Sequence, residues 1–228
     1  MAFNYSPKIV TNGLVLCLDA GNVKSYVSGS TSWNDLTSNQ NVGTLTNGPT
    51  FNTGSGGSIV FDGSNDYILL TSNQNTNFSN SFTLSCWFKF TNLSSNMLLS
   101  RYIIALGNTF TFFHFSSGKP RLLLQNSVSS IDATSSNTYS INNIYNFTTT
   151  ITSTQIIHYI NGTLDSTTVN SGILPNYSNA NNWVMGASIY SYTAYGAQNI
   201  YQTSMYNRAL TSTEILQNYN ATKTRFGL

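Results

Sequence analysis

Residues 82–90, FTLSCWFKF, alternate without a fault: Phe82, Leu84, Cys86, Phe88 and Phe90 share one face of an extended strand, and Thr83, Ser85, Trp87 and Lys89 share the other. Successive strand side chains point to opposite faces, so a period of two with one apolar face predicts an antiparallel sheet packed on a core from one side. Just upstream, SIVFDGSNDYILL (58–70) reads as two short strands around a tight turn. Asp62, Gly63, Asn65 and Asp66 are residues that accept turn geometry or left-handed backbone angles.

The same punctuation runs through the chain. LVLCLDA (14–20) ends in the turn Asp19-Ala20-Gly21-Asn22, and SWNDL (32–36), GTL (43–45), NMLLSRYIIAL (96–106), TFTFFHF (109–115), RLLLQ (121–125), IYNFTTTIT (144–152), QIIHYI (155–160), WVMGA (183–187) and QNIYQTSMY (198–206) follow. Asn161-Gly162, between QIIHYI and TLDSTTV, is a hairpin signal because both residues tolerate positive φ in a type I′ turn. About a dozen strands at this spacing, with no helical interludes, predict a two-sheet antiparallel β-sandwich. One helix is expected, TSTEILQNYNATK near the C-terminus. Thr211 is its N-cap, Glu214 completes a capping box, and Ile215, Leu216 and Tyr219 form its apolar stripe. The expected organisation is an N-terminal arm over 1–12, one sandwich domain over 13–210, and a short helix with a basic tail packed on the sandwich over 211–228.

With 228 residues and 40% hydrophobic content, the chain is long enough for one such core. Charged residues make up only 7%, against about 25% in ordinary soluble domains. Asn, Ser and Thr supply the polarity instead, and they disfavour helix interiors. The net charge of +2 is scattered, with no basic stripe for nucleic acid. No stretch approaches the ~20 apolar residues of a membrane helix. The opening residues, MAFNYSPKIVTNG, lack a run long enough for a signal peptide. The expectation is therefore a chain made in a cytoplasm and not secreted. Cys17 and Cys86 each lie in an apolar strand and read as buried free thiols. His114 and His158 lie in strand-like runs and read as core or edge residues.

Four segments in order, GLVLCLDA (13–20), SIVFDGSNDYILL (58–70), FTLSCWFKF (82–90) and MYNRALTSTEILQNYN (205–220), together resemble the laminin-G-like, concanavalin A-like jelly-roll family. HYINGTLD (158–165) fits the family's aromatic-x-Asn-Gly hairpin. The two ends, FNYSPKIVTNGLVLCLDAGN and NRALTSTEILQNYNATKTRFG, look like the version encoded by tailed bacteriophages, marine ones in particular. The resemblance implies an all-β jelly-roll sandwich. It also implies a virion structural or accessory protein (head decoration, fibre or tail) partnered by other virion proteins and by copies of itself, with a glycan or host-surface ligand. The alternative is a free carbohydrate-binding module or a bacterial adhesin, against which the missing secretion and anchor signals count.

Relatives of this fold also include glycoside hydrolases, which need two carboxylates flanking the scissile bond. Here there is one glutamate, Glu214, assigned to the capping box, and of the aspartates only Asp62 and Asp66 are close in sequence, across a turn. No enzyme is expected. Calcium would need six to eight oxygen ligands. Asp19, Asn22, Asp62, Asn65 and Asp66 could supply some, but Asx-turns account for them, so no metal or other cofactor is expected. The ligand-binding candidates are Tyr190, Tyr192 and Tyr195, in a tyrosine-rich loop before the last strand, and Trp87 on the polar face of its strand. The same tyrosines could instead cover the sandwich end, and Trp87 could lie under a loop. In the arm, Phe3, Tyr5 and Ile9 are candidates for docking on a partner.

Overall fold

The computed structural model describes residues 7–71, 76, 78, 80–94, 96–103, 109–126, 128–174, 182–188 and 194–228. Two eight-stranded antiparallel sheets face each other. The first contains β1 (Leu14–Asp19), β4 (Thr50–Asn52), β5 (Ser58–Asp62), β7 (Phe82–Phe90), β12 (Tyr145–Ile151), β13 (Gln155–Ile160), β14 (Thr163–Val169) and β16 (Ala197–Tyr206). Their order is β14-β13-β12-β7-β16-β5-β4, and β1 pairs with the C-terminal half of β16. The second is built from β2 (Ser32–Asn34), β3 (Val42–Thr46), β6 (Tyr67–Thr71), β8 (Asn96–Ile103), β9 (Thr109–Ser116), β10 (Lys119–Gln125), β11 (Ser130–Thr134) and β15 (Trp183–Met185), in the order β11-β10-β9-β8-β15-β6-β3-β2. With the helix α1 (Ser212–Thr222), this is the concanavalin A-like jelly-roll sandwich that the sequence implies.

The alternation of β7 sets the core. Phe82, Leu84, Cys86, Phe88 and Phe90 are all sealed between the sheets. Phe88 and Phe90 meet Phe115 at 5.0 and 4.8 Å between ring centroids, and Phe113 stacks on Phe147 at 4.3 Å. Asn161 and Gly162 adopt φ of 52° and 74°, the conformation that the β13–β14 hairpin demands. The capping box is present in full: Thr211 Oγ1 accepts from Glu214 N, and Thr211 N donates to Glu214 Oε2.

The structure departs from the one-sided reading of β7. Its polar face is also covered, with Thr83 and Trp87 buried. A second apolar cluster of Val10, Tyr159, Tyr206, Leu210 and Ile215 fills the space between this face and α1. Residues 7–12 run along the same seam. Val10 N donates to Asn218 Oδ1, Gln217 Nε2 to Lys8 O, and Arg208 Nε to Asn12 O. The described part of the arm thus packs on its own chain, with Ile9 half-buried. Two strands were not foreseen. β4 is three residues long, and β11 is an edge strand with only Ala133 buried; neither carries enough alternation to register as a strand in sequence.

Cys17 and Cys86 are free and buried, and burial pushes their thiols up to about 11 and about 12. Burial also drives His114 down to about 4, with the nearby Arg121 guanidinium adding to the effect. His158 is lowered too, mainly by burial, and is held between Thr149 Oγ1 and the Ala133 carbonyl. Both folded-state values lie below the unfolded value of about 6.5. Stability is therefore complete above that pH and is lost as pH falls toward the folded pKa, because the unfolded chain takes up the proton first. Wild-type protein should lose on the order of 2 kcal/mol between pH 7 and pH 4.5 through His114 alone, and His114→Leu should flatten that slope. Urea melts at the two pH values check this; parallel losses in both proteins would rule His114 out as the source.

Candidate ligand-binding site

All seven acidic residues lie among the described residues, and each has a structural partner. Asp19 Oδ1 receives Arg225 Nη1 at 2.6 Å, and Asp35 caps Cys17 N, Thr37 and Asn41. Asp62 Oδ1 accepts Ser64 N, and Asp66 Oδ2 accepts Asp62 N, so the pair across the turn is spent on turn geometry. Asp132 pairs with Arg121, and Asp165 accepts from Asn137 and Tyr139. Glu214 takes a bidentate Arg208 contact at 2.6 and 2.9 Å, which holds its carboxyl down to about 2. Burial raises Asp66 instead, with the Asp62 charge across the turn adding a smaller push in the same direction. Among the described residues no three of His, Cys, Asp and Glu converge as a metal group.

Of the residues singled out from sequence, Tyr190 and Tyr192 lie outside the described residues, as do Phe3 and Tyr5. Tyr195 is half-buried, and its backbone forms an isolated bridge with Ala187. Trp87 is not a platform. It is 3% exposed, its ring stacked on Tyr219 at 5.6 Å and tilted against Phe226 at 4.3 Å, and its Nε1 donates to Thr222 Oγ1 at 3.0 Å. The helix and tail, more than 120 residues downstream, supply a cover that local sequence around Trp87 does not reveal.

The described residues offer a different recess. Two adjoining clefts of about 370 and 570 Å³ share Tyr26, Ser28 and Phe51, within the size range of small-molecule sites. Three stretches make them. The loop 20–31 turns on Asn22: its Oδ1 accepts Lys24 N, and its carbonyl accepts Ser25 N and Tyr26 N. Tyr26 O–H then closes the loop on the Ser30 carbonyl at 3.0 Å. The second stretch is the β3–β4 turn, where Asn47 and Gly48 take φ of 66° and 103° ahead of Pro49. The third is the 3-10 turn Gly54–Gly56. Tyr26 is buried and backs the half-buried Phe51 ring at 5.2 Å between centroids, so Phe51 is the aromatic side chain of the pair with a face left to the recess. Around it stand hydroxyls of Ser28, Thr31 and Thr50, with the Asn47 amide.

The floor of this recess is backbone on backbone. A Cβ on Gly21 would lie 1.8 Å from the Gly56 carbonyl oxygen, so only glycine permits the approach. Arg225 clamps it from the far end of the chain. Nη2 donates to the carbonyls of Gly56 and Gly57 at 2.9 and 3.0 Å, while Nη1 holds Asp19. No charged side chain lines either cleft. The arrangement can stack a flat apolar face and exchange neutral hydrogen bonds, and it has no acid–base pair. Sequence reasoning passed over Tyr26 and Phe51 because one lies in the 20–31 loop and the other in the three-residue strand β4; their only local signal was the density of Gly, Ser, Thr and Asn around each.

A family model described as the concanavalin A-like lectin/glucanases superfamily matches residues 62–216. No curated protein matches the chain. Among solved structures, the chain is similar to the binding domain of Paraclostridial Mosquitocidal Protein 1, at 18% identity and TM-score 0.72, covering 92% of this chain and 52% of that one. It is also similar to the botulinum neurotoxin serotype D ligand-binding domain in complex with N-acetylneuraminic acid (15% identity, TM-score 0.71, 91% and 50% covered). The botulinum neurotoxin DC binding domain in complex with rat synaptotagmin II is a third (15% identity, TM-score 0.69, 92% and 52% covered). At these identities the likeness concerns the fold, and the chain spans about half the length of each of these solved chains.

The cover over Trp87 is open to a direct check. Trp33 and Trp183 are fully buried away from the helix, so Trp87 is the ring whose environment depends on the tail. Removing residues 223–228, or the Tyr219→Ala, Phe226→Ala pair, should red-shift tryptophan emission and raise iodide quenching while the sandwich stays folded. Unchanged quenching in a folded variant would mean that the tail is not the cover.

Proposed function

The chain belongs to the concanavalin A-like lectin/glucanases superfamily, and from that premise we propose that it is a non-enzymatic recognition protein binding uncharged glycans in the paired clefts around Tyr26 and Phe51. The observation that carries this reading is the chemistry of the recess: the half-buried Phe51 ring, backed by the buried Tyr26, beside hydroxyl, amide and glycine-backbone groups, without a charged side chain. A sugar ring presents apolar C–H faces and hydroxyls, and a rigid aromatic face with neutral polar groups around it answers both.

The neighbours sharpen the choice of ligand. One is a ligand-binding domain in complex with N-acetylneuraminic acid and another is in complex with a protein, synaptotagmin II. This fold therefore serves recognition of more than one kind. An anionic sugar carries a carboxylate that a cation or a set of donors must meet, and the clefts present no cationic side chain. Neutral sugars are the better fit. Catalysis is disfavoured because each carboxylate is committed to a turn, a cap or an ion pair.

For biological setting we propose a virion accessory or structural protein of a tailed bacteriophage, carrying this recognition surface outward. Support comes from the resemblance of its two terminal segments to phage-encoded proteins. Mass spectrometry of purified virions should detect the chain; its absence from them would favour a free carbohydrate-binding module or adhesin.

On an array containing neutral and sialylated oligosaccharides, binding should fall on neutral members. Phe51→Ala should weaken it about tenfold or more, equivalent to ~1.4 kcal/mol. Ser28→Ala, at an exposed position shared by both clefts, should weaken it less and leave the melting temperature unchanged. Binding confined to sialylated sugars, or indifferent to both substitutions, would refute the assignment. Loss only on Tyr192→Ala with Tyr195→Ala would move the site to the tyrosine loop.

A further inference from the structure

The two clefts around Phe51 differ in what they offer. The larger, of about 570 Å³, has exposed Thr31, Asn47 and Thr50 among its walls. Asn47 Nδ2 donates to the Asn65 carbonyl at 3.0 Å, which orients the amide and leaves its Oδ1 to accept from a ligand hydroxyl. The smaller cleft, of about 370 Å³, adds Val23 and Val27 to Phe51. Its backbone groups are already in use. The carbonyls of Gly56 and Gly57 accept from Arg225 Nη2, Gly21 N donates to Asp19 Oδ1, and Gly57 N donates to the Gly54 carbonyl.

Val23 and Val27 are 79% and 62% exposed. An exposed valine standing alone is ordinary; here two share one cleft with an aromatic ring. Local structure brings them together. The Asn22 carbonyl accepts Tyr26 N at 2.9 Å, a bond across four residues that winds the backbone into a single turn, and residues four apart on such a turn lie on one side. Valine is stiff at χ1, so a ligand laid on these side chains costs them little rotamer freedom.

On the reading of this recess as a glycan site, we propose that its ligand is a neutral sugar carrying a methyl-bearing substituent, with its hydroxyls toward Asn47 and Thr50 and its methyl group between Val23, Val27 and Phe51. N-acetylhexosamines and 6-deoxyhexoses share this chemistry. The first ends its acetamido arm in a methyl group, and the second has a methyl where a plain hexose has a hydroxymethyl. The clefts meet along Tyr26, Ser28 and Phe51, so a ring stacked on Phe51 has one edge toward each. A plain hexose would turn a hydroxyl toward the valines, and a hydroxyl that leaves water without a new partner is penalised. A methyl there gains instead, by about fourfold in affinity when buried.

Ligand-observed NMR titrations of the full chain test this with two matched pairs: N-acetylglucosamine against glucose, and 6-deoxygalactose against galactose. At least one substituted sugar should bind about three- to fivefold more tightly than its plain partner, and the pair that shows it distinguishes an acetamido methyl from a ring methyl. Val23→Ser with Val27→Ser, both at exposed loop positions, should keep the melting temperature and bring that ratio to about one. Phe51→Ala should weaken both members of the pair alike. Equal affinity within both pairs, or a preference that survives the valine substitutions, would overturn this inference and leave the glycan reading standing. Failure of all four sugars to bind would overturn both.

Discussion

The packing of β7 against both of its surroundings is the constraint on which the rest of the molecule depends. Its place between β12 and β16 gives it ladders on both edges. On one face it drives Phe82, Leu84, Phe88 and Phe90 into the space between the sheets. On the other it presents Thr83 and Trp87 to a layer made from the chain's two ends. Thr83 Oγ1 donates to the Arg208 carbonyl and accepts Leu210 N, fixing the connection from β16 into α1. Trp87 receives Tyr219, Thr222 and Phe226 from the helix and tail. Interiors are packed tightly enough that neither layer can shift without the other, so one strand sets the register of three layers.

The low charge content acquires a reason in this setting. With few acidic groups available, each is used locally: Asp35 and Asp62 order turns, Glu214 caps a helix and binds Arg208, and Asp19 receives Arg225. The surface is left to Asn, Ser, Thr and Tyr. That composition could be mistaken for plain solubility. Around Tyr26 and Phe51 it becomes a concave recess of neutral hydrogen-bonding groups.

Features set by short-range chemistry were legible in the sequence. The alternation of β7, the Asn161-Gly162 turn and the Thr211–Glu214 capping box each depend on residues within a few positions of one another, and each forms as expected. The turn role of Asp62 and Asp66 was legible for the same reason. What the sequence hid lies at long range. Trp87 could be read either as a platform on a polar face or as a ring under a cover, because nothing near it in sequence announces that residues 219–226 supply that cover. The clefts were hidden likewise: Tyr26 and Phe51 meet only after β2 and β3 have paired and β4 has joined β5. β11 escaped notice because an edge strand with one buried side chain has almost no pattern to show.

The C-terminal tail joins two parts of the molecule that would otherwise be independent. Phe226 lies over Trp87 on the polar face of the first sheet and also meets Tyr201 edge-on at 5.2 Å. One residue earlier, Arg225 reaches Asp19, Gly56 and Gly57 on the floor of the clefts around Phe51. The Arg225–Asp19 pair is partly buried and hydrogen-bonded on several sides, a geometry in which loss of one partner leaves the other charge poorly solvated. The tail therefore does more than finish the helix. It couples the cover of Trp87 to the spacing of Gly21 and Gly56, where the backbones approach closely enough to exclude a side chain. The recess is consequently held from the opposite end of the sequence, and its shape is a property of the whole fold rather than of the loops that line it.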